Sequence, residues 1–225
     1  MMKQILPLLV CTACMFQEVQ AQSFTGVTTI EKQNLKEASF IGATEFKAVT
    51  AKSLSVMGPI HFDHLKVEKN TEVVGAVTES EHGTFGSLII TGPFTAKNIT
   101  CSKLEVIGPV DVSDLQVSGD TTIIGPLKAG KSTFQNLTVT SDKIILEDSK
   151  VTDIVVKKNE DKKQVLDLRG TTIVEGNIIF ESGEGVVEQD SEVNIQGEIE
   201  GANVQGEIEE ANVQGEIEEA TVEKE

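Results

Sequence analysis

Leu104-Glu105-Val106-Ile107-Gly108-Pro109 is an alternating run that stops on a glycine followed by a proline. The device recurs. Leu54-Ser55-Val56-Met57 leads into Gly58-Pro59, and further glycine–proline pairs stand at Gly92-Pro93 and Gly125-Pro126. With Gly42 and Gly75 added, the six glycines are separated by 16, 17, 17, 16 and 17 residues. A constant period marks a repeat architecture, and alternation within it marks strands. A β-sandwich of meandering strands has no reason to keep such a period.

Positions counted from each glycine carry the same kind of side chain. Two residues on stand Ile60, Val77, Phe94, Val110 and Leu127, and four on stand Phe46, Phe62, Ala96, Val112 and Ala129. Seven on come Val49, Leu65, Ile99 and Leu115, and nine on come Ala51, Val67, Cys101, Val117 and Phe134. Two before the glycine lie Phe40, Val56, Val73, Ile90, Val106 and Ile123. A step of two keeps one face of a strand and a step of three turns a corner. The expected fold is therefore all-β, a right-handed parallel β-helix (β-solenoid) in which coils of two or three short strands stack about 4.8 Å apart. Glycine suits a bend or a close backbone approach, and proline, lacking an N–H, belongs at a corner.

Composition agrees with a narrow core. Of 225 residues 39% are hydrophobic but only 4% aromatic, with no Trp or Tyr, which ladders of Val, Ile, Leu and Ala do not need. Such a stack reads as one elongated domain rather than two globular ones.

The chain starts with Met1-Met2-Lys3, an apolar run over 5–16 and the small-residue site Val19-Gln20-Ala21. This reads as a secretory signal peptide over 1–21, cleaved before Gln22, rather than a buried first strand, and it is too short to span a bilayer. The product would be exported to the periplasm, the cell surface or the medium. Thr12-Ala13-Cys14 also resembles the end of a bacterial lipobox, which would leave a lipid anchor on Cys14, although Cys11 stands where that pattern has leucine. The Cys11/Cys14 pair lies inside the apolar run, so Cys101 is the one cysteine left in the mature chain. It shares a column with Val67 and Val117 and reads as a small buried hydrophobe.

Residues 22–40 read as an N-terminal cap, with Glu31-Lys32-Gln33-Asn34-Leu35-Lys36-Glu37-Ala38 as either a short helix or an irregular first coil. Regular coils follow over 41–157. The third is the poorest, with Glu79, His82 and Thr84 at apolar positions, so a bulge or loop is expected around 80–86. A charged loop over 158–164 breaks the pattern, and 165–193 reads as a second solenoid section with another glycine register. Residues 194–225 repeat every nine: Asn194-Ile195-Gln196-Gly197-Glu198-Ile199-Glu200-Gly201-Ala202, then Asn203 to Ala211, then Asn212 to Ala220. Either the stack continues here or the segment is a disordered acidic tail. Residues 181–225 hold fifteen acids and one lysine, so most of the chain's net charge of −17 lies there. The double glycine and Asp of calcium-binding nonapeptides are absent.

Several motifs look chemical. Gly125-Pro126-Leu127-Lys128-Ala129-Gly130-Lys131-Ser132 fits the phosphate-loop pattern, yet a β-branched alternating run follows where a helix is required. His61-Phe62-Asp63-His64 invites a metal reading. With Phe62 inward, His61 and Asp63 point outward, His64 sits near a corner, and His82 is expected close by in another coil; exposed histidines, not a metal site, are expected. Asn98-Ile99-Thr100 and Asn136-Leu137-Thr138 match the glycosylation sequon. With one arginine, Arg169, no Trp or Tyr and an acidic surface, the chain is poorly equipped for polyanionic glycans or nucleic acid. No catalytic, cofactor-binding or metal-binding residues and no cofactor are assigned.

The wording Val204-Gln205-Gly206-Glu207-Ile208 and Glu175-Gly176-Asn177-Ile178 resembles that of the bactofilins, in style over 41–222. The resemblance implies a right-handed parallel β-helix and bacterial, cytosolic filaments built head to tail. This chain departs from that pattern in its export signal and its acidic C-terminus. The expected role is that of an exported, non-enzymatic structural or interaction rod, with itself (end to end, by strand addition) or an envelope component as partner. Two other roles are open. One is an adhesin-like module for a glycan or host protein; the other is a polysaccharide-active enzyme, which needs a groove joining residues such as Lys97, Asp111, Asp114, Lys128 and Lys131.

Overall fold

The computed structural model describes residues 22–160 and 162–206. The alternating runs become strands that pair in parallel with the coil before and the coil after, in one sheet wound on itself. The result is a parallel β-solenoid of about eleven turns. No helix long and apolar enough to cross a membrane occurs among the described residues.

Each regular coil has three faces, and each face sends two side chains inward. In the coil after Gly42 these are Thr44 and Phe46, Val49 and Ala51, Leu54 and Val56, all buried. All five apolar columns read from the sequence are buried. The column holding Cys101 runs Leu35, Ala51, Val67, Phe85, Cys101, Val117, Phe134, Val151 in register. Burial pushes the Cys101 thiol up to about 12, so it stays a protonated, unreactive hydrophobe. A sixth column, Leu54, Thr71, Leu88, Leu104, Thr121 and Leu137, is equally buried.

The three corners differ. At the first, the glycines from Gly26 to Gly125 all have φ between +108° and +154°. A Cβ on Gly108 would lie 2.4 Å from the Gly92 carbonyl oxygen, so the coils close up only where no side chain intervenes. The ladder here takes the glycine N–H and the N–H two residues on, as in Gly108 N to Ile124 O (2.9 Å) and Val110 N to Pro126 O (2.9 Å). It skips the residue between, which is why proline fits there.

The second corner is one left-handed residue per coil: Ala48, His64, Asn98 and Asp114 have φ of 51°, 58°, 54° and 54°. Stacked coils bend together, so pairing survives the turn. In place of two or three short strands, most regular coils therefore carry one long bent strand, such as Thr44–Met57 or Phe94–Ile107. The third corner holds the extra residue of two 17-residue coils, where the ladder slips between Ala51 and Leu54 and between Cys101 and Leu104.

The coil after Gly75 puts its extra residue elsewhere. The slip lies between Val77 and Ser80, just ahead of the expected 80–86. Glu79 turns left-handed (φ 46°), so the inward positions pass to Ser80, Gly83 and Phe85, while Thr84 faces out opposite Thr100.

At the N-terminus the helix alternative for 31–38 is overturned. Thr28–Glu31 and Asn34–Ile41 are strands, Gln22–Thr25 pairs with Ala38–Ile41, and Gly26 heads the glycine column. Leu35 and Ala38 obey the strand register of the next coil rather than local helix propensity. Phe24 stacks on Phe40 at 4.7 Å.

Beyond Val156, the described residues of 157–164 contain no strand, and buried Gln164 ties the loop by donating to the Ser141 and Lys157 carbonyls (2.9 and 2.7 Å). The stack then resumes with short strands. Val165–Arg169 pairs with Lys143–Glu147, Gly185–Gln189 with Val165–Leu168, and Ala202–Gly206 with Gly185–Gln189. The first nonapeptide copy thus joins the ladder. The signal peptide, Cys14 and the repeat from 207 onward lie outside the described residues.

Candidate functional site

The bulged coil builds the most chemically equipped corner. Ile60 and Phe62 point inward from strand Ile60–Val74, so His61 and Asp63 point outward, and His64 takes the left-handed corner. In the next coil the extra Glu79 delays the corner by one residue, and His82 (φ 55°) occupies it. Had the extra residue entered at the third corner, as in the other 17-residue coils, His82 would fall on an inward position. The bulge is repaired from inside: the Ser80 hydroxyl accepts the Phe62 N–H (3.1 Å) and donates to the Thr78 carbonyl (3.2 Å). Gly83 leaves room for the Phe85 ring, which meets Phe62 edge-on at 5.6 Å.

Adjacent corners are stacked, so His64 and His82 stack as well, with ring centroids 4.5 Å apart and planes 18° from parallel. Asp63 Oδ1 lies 2.6 Å from His64 Nδ1 and 3.2 Å from His82 Nδ1. All three side chains are about half exposed. Desolvation pushes the Asp63 carboxyl up, but the hydrogen bonds from His82 and His64 outweigh it and hold the group below its ordinary value. His61, the remaining histidine, donates from Nδ1 to the Thr78 carbonyl (2.9 Å). Sequence reasoning placed His61, Asp63 and His64 correctly on the surface. It set His82 close by in another coil but not at the corner position itself, because that offset depends on one inserted residue.

A second surface runs along the glycine corner. The residues before the glycines form the register column Thr25, Ile41, Met57, Val74, Thr91, Ile107 and Ile124, which Thr140, ahead of Ser141, continues. Ile41, Met57, Val74, Ile107 and Ile124 are each close to half exposed. Across the corner, Pro93, Pro109 and Pro126 line a shallow open depression with Asp111, Lys128 and Lys143.

The other motifs fall where the repeat puts them. In the phosphate-loop match Gly125 belongs to the glycine column, Lys131 is a left-handed corner, and the buried Ser132 hydroxyl donates to the Gly130 carbonyl (2.8 Å). Strand Thr133–Thr140 follows instead of a helix. Asp111 and Lys128 are ladder neighbours that line the depression at the proline corner, whereas Asp114 and Lys131 sit at the left-handed corner and Lys97 stands opposite Ser113. Asn98 and Asn136 are both exposed.

Compared with known proteins, the chain matches no family model, no curated protein and no solved structure.

Proposed function

We propose that the protein is an exported, non-enzymatic structural rod that associates with further copies of itself. The observation behind this reading is the apolar ridge Ile41, Met57, Val74, Ile107 and Ile124 on a chain of net charge −17. A row of exposed apolar side chains on an otherwise polar surface marks an interaction site. The ridge repeats at the coil spacing of about 4.8 Å, broken once by Thr91, and a second copy carries the same spacing, so side chains of two rods interlock on either side of that break. A two-fold axis perpendicular to the rods lays them antiparallel and keeps the acidic coils of 181–206 at opposite ends, away from mutual repulsion. Export rests on the sequence of 1–21, and right-handed winding on the general handedness of parallel crossovers.

Light scattering over a concentration series tests the reading. The mature chain is expected to form dimers or larger species, and Ile107→Lys with Ile124→Lys to return it to monomer with its β circular dichroism intact. A wild-type chain that is monomeric at every concentration and ionic strength would overturn it.

A further inference from the structure

We infer that Asp63, His64 and His82 form a binding site for a borderline divalent transition-metal ion, of which Zn2+ is the type. Two imidazole nitrogens and one carboxylate oxygen lie within 4.8 Å of one another. A tetrahedral zinc with N and O ligands at about 2.0–2.2 Å holds its donors roughly 3.4 Å apart. The two Asp63–histidine separations, 2.6 and 3.2 Å, fall a little short of that spacing, so the donors need only spread slightly to admit the ion. The remaining closure is between the histidines, whose half-exposed rings leave their stacked arrangement to turn both nitrogens toward one ion.

The backbone supplies the preorganisation. His64 and His82 are both fixed as left-handed corner residues in adjacent coils, so their Cβ atoms are held one above the other by the ladder. The corner column elsewhere holds Lys32, Ala48, Asn98, Asp114 and Lys131; its histidines are the two that adjoin. Imidazole selects zinc, copper and nickel over magnesium and calcium, and the single carboxylate is too little for the hard cations. Three protein donors leave the fourth position to water, on the open face of the corner.

Isothermal titration of Zn2+ into the untagged full mature chain, with Co2+ absorption as a second reading, tests the site. One ion per chain is expected, bound at least roughly tenfold more tightly than in His64→Asn or His82→Asn, as loss of a donor should cost. Asparagine accepts the left-handed corner, as Asn98 does, so these variants keep the fold, and circular dichroism verifies it. His61→Ala, whose ring nitrogen is engaged by Thr78, is expected to bind as the wild type does. A wild-type chain that binds no more tightly than the His64→Asn/His82→Asn double variant, or a Co2+ spectrum without the intensity of a tetrahedral nitrogen site, would overturn the assignment. Neither result bears on whether the rods associate, which the ridge variants report separately.

Discussion

The glycine corner of 26–125 and the corners of 148–198 meet one demand, partners for backbone N–H groups where the chain turns, with different groups. In the first region backbone answers backbone, as when Gly108 N reaches Ile124 O. In the second, side chains reach across the coils. Asp148 Oδ1 accepts from Thr171 N (3.1 Å), Asp153 Oδ1 from Asn177 N (2.9 Å), Asn177 Oδ1 from Glu198 N (3.0 Å) and Asp190 Oδ2 from Gly170 N (2.8 Å). A backbone corner demands near-identical coils and no Cβ. A side-chain cap bridges unequal coils: Ile154 pairs with Ile178, 24 residues on, while Ile178 pairs with Ile199, 21 on. The price is dependence on particular acids.

The sharpest way to break this contrast is to add one methyl group to each region. Gly108→Ala puts a Cβ 2.4 Å from the Gly92 carbonyl at φ +147°, and a loss of about 3 kcal/mol or more is expected from strain and overpacking together. Gly183→Ala also has a positive φ, +74°, but meets nothing within 4 Å, and is expected to lose only about 1 kcal/mol. Urea denaturation of both variants decides the matter. Equal losses would mean that close approach of coils does not govern the first region.

Buried hydroxyls sharpen it further. Toward the second region Ser132, Ser149 and Thr172 form a chain: Ser132 N donates to Ser149 Oγ (3.1 Å), Ser149 N to Thr172 Oγ1 (3.2 Å), and Ser149 Oγ to the Glu147 carbonyl (2.7 Å). In the regular region Thr121 is packed between Leu104 and Leu137 with no partner for its hydroxyl. Ser149→Ala should therefore cost about 1–2 kcal/mol, while Thr121→Val should gain up to about 1 kcal/mol. Changes of the same sign in both, again by urea denaturation, would remove the distinction.

Most of the regular region was legible because its rules are local in period. The glycine interval located five of six inward columns, and Cys101 lies between Phe85 and Val117 for the reason its spacing gave. The Leu104 column escaped because the extra residue of the 17-residue coils enters just before it. Counting forward from the glycine loses the register there, and counting back from the next glycine keeps it. His82 escaped for a like cause, since Glu79 shifts everything after it by one. Segment 31–38 has a helix-compatible composition, and only the adjacent coil's register makes it a strand. The caps at Asp148 and Asp153 were illegible, because they join residues 23 and 24 apart with no periodic signal.

The smallest expected effect concerns charge, which the two regions should feel differently. Hydrogen bonds from the Thr171 backbone and hydroxyl hold the Asp148 carboxyl below its ordinary 3.8. A lowered folded-state value means that ionised Asp148 stabilises the fold above its unfolded value and that this contribution fades as pH falls through the folded one. Asp148→Asn keeps an acceptor oxygen and tolerates the left-handed corner (φ 47°), but carries no charge. Thermal melts from neutral pH downward should therefore show the wild type ahead of the variant at pH 7, with the gap closing below pH 4. Gly108→Ala, at a corner without a titratable group, should trail the wild type by the same margin across that range. An Asp148→Asn gap that stays constant with pH would mean that the cap works through shape alone, and the second region would then be built on the same terms as the first.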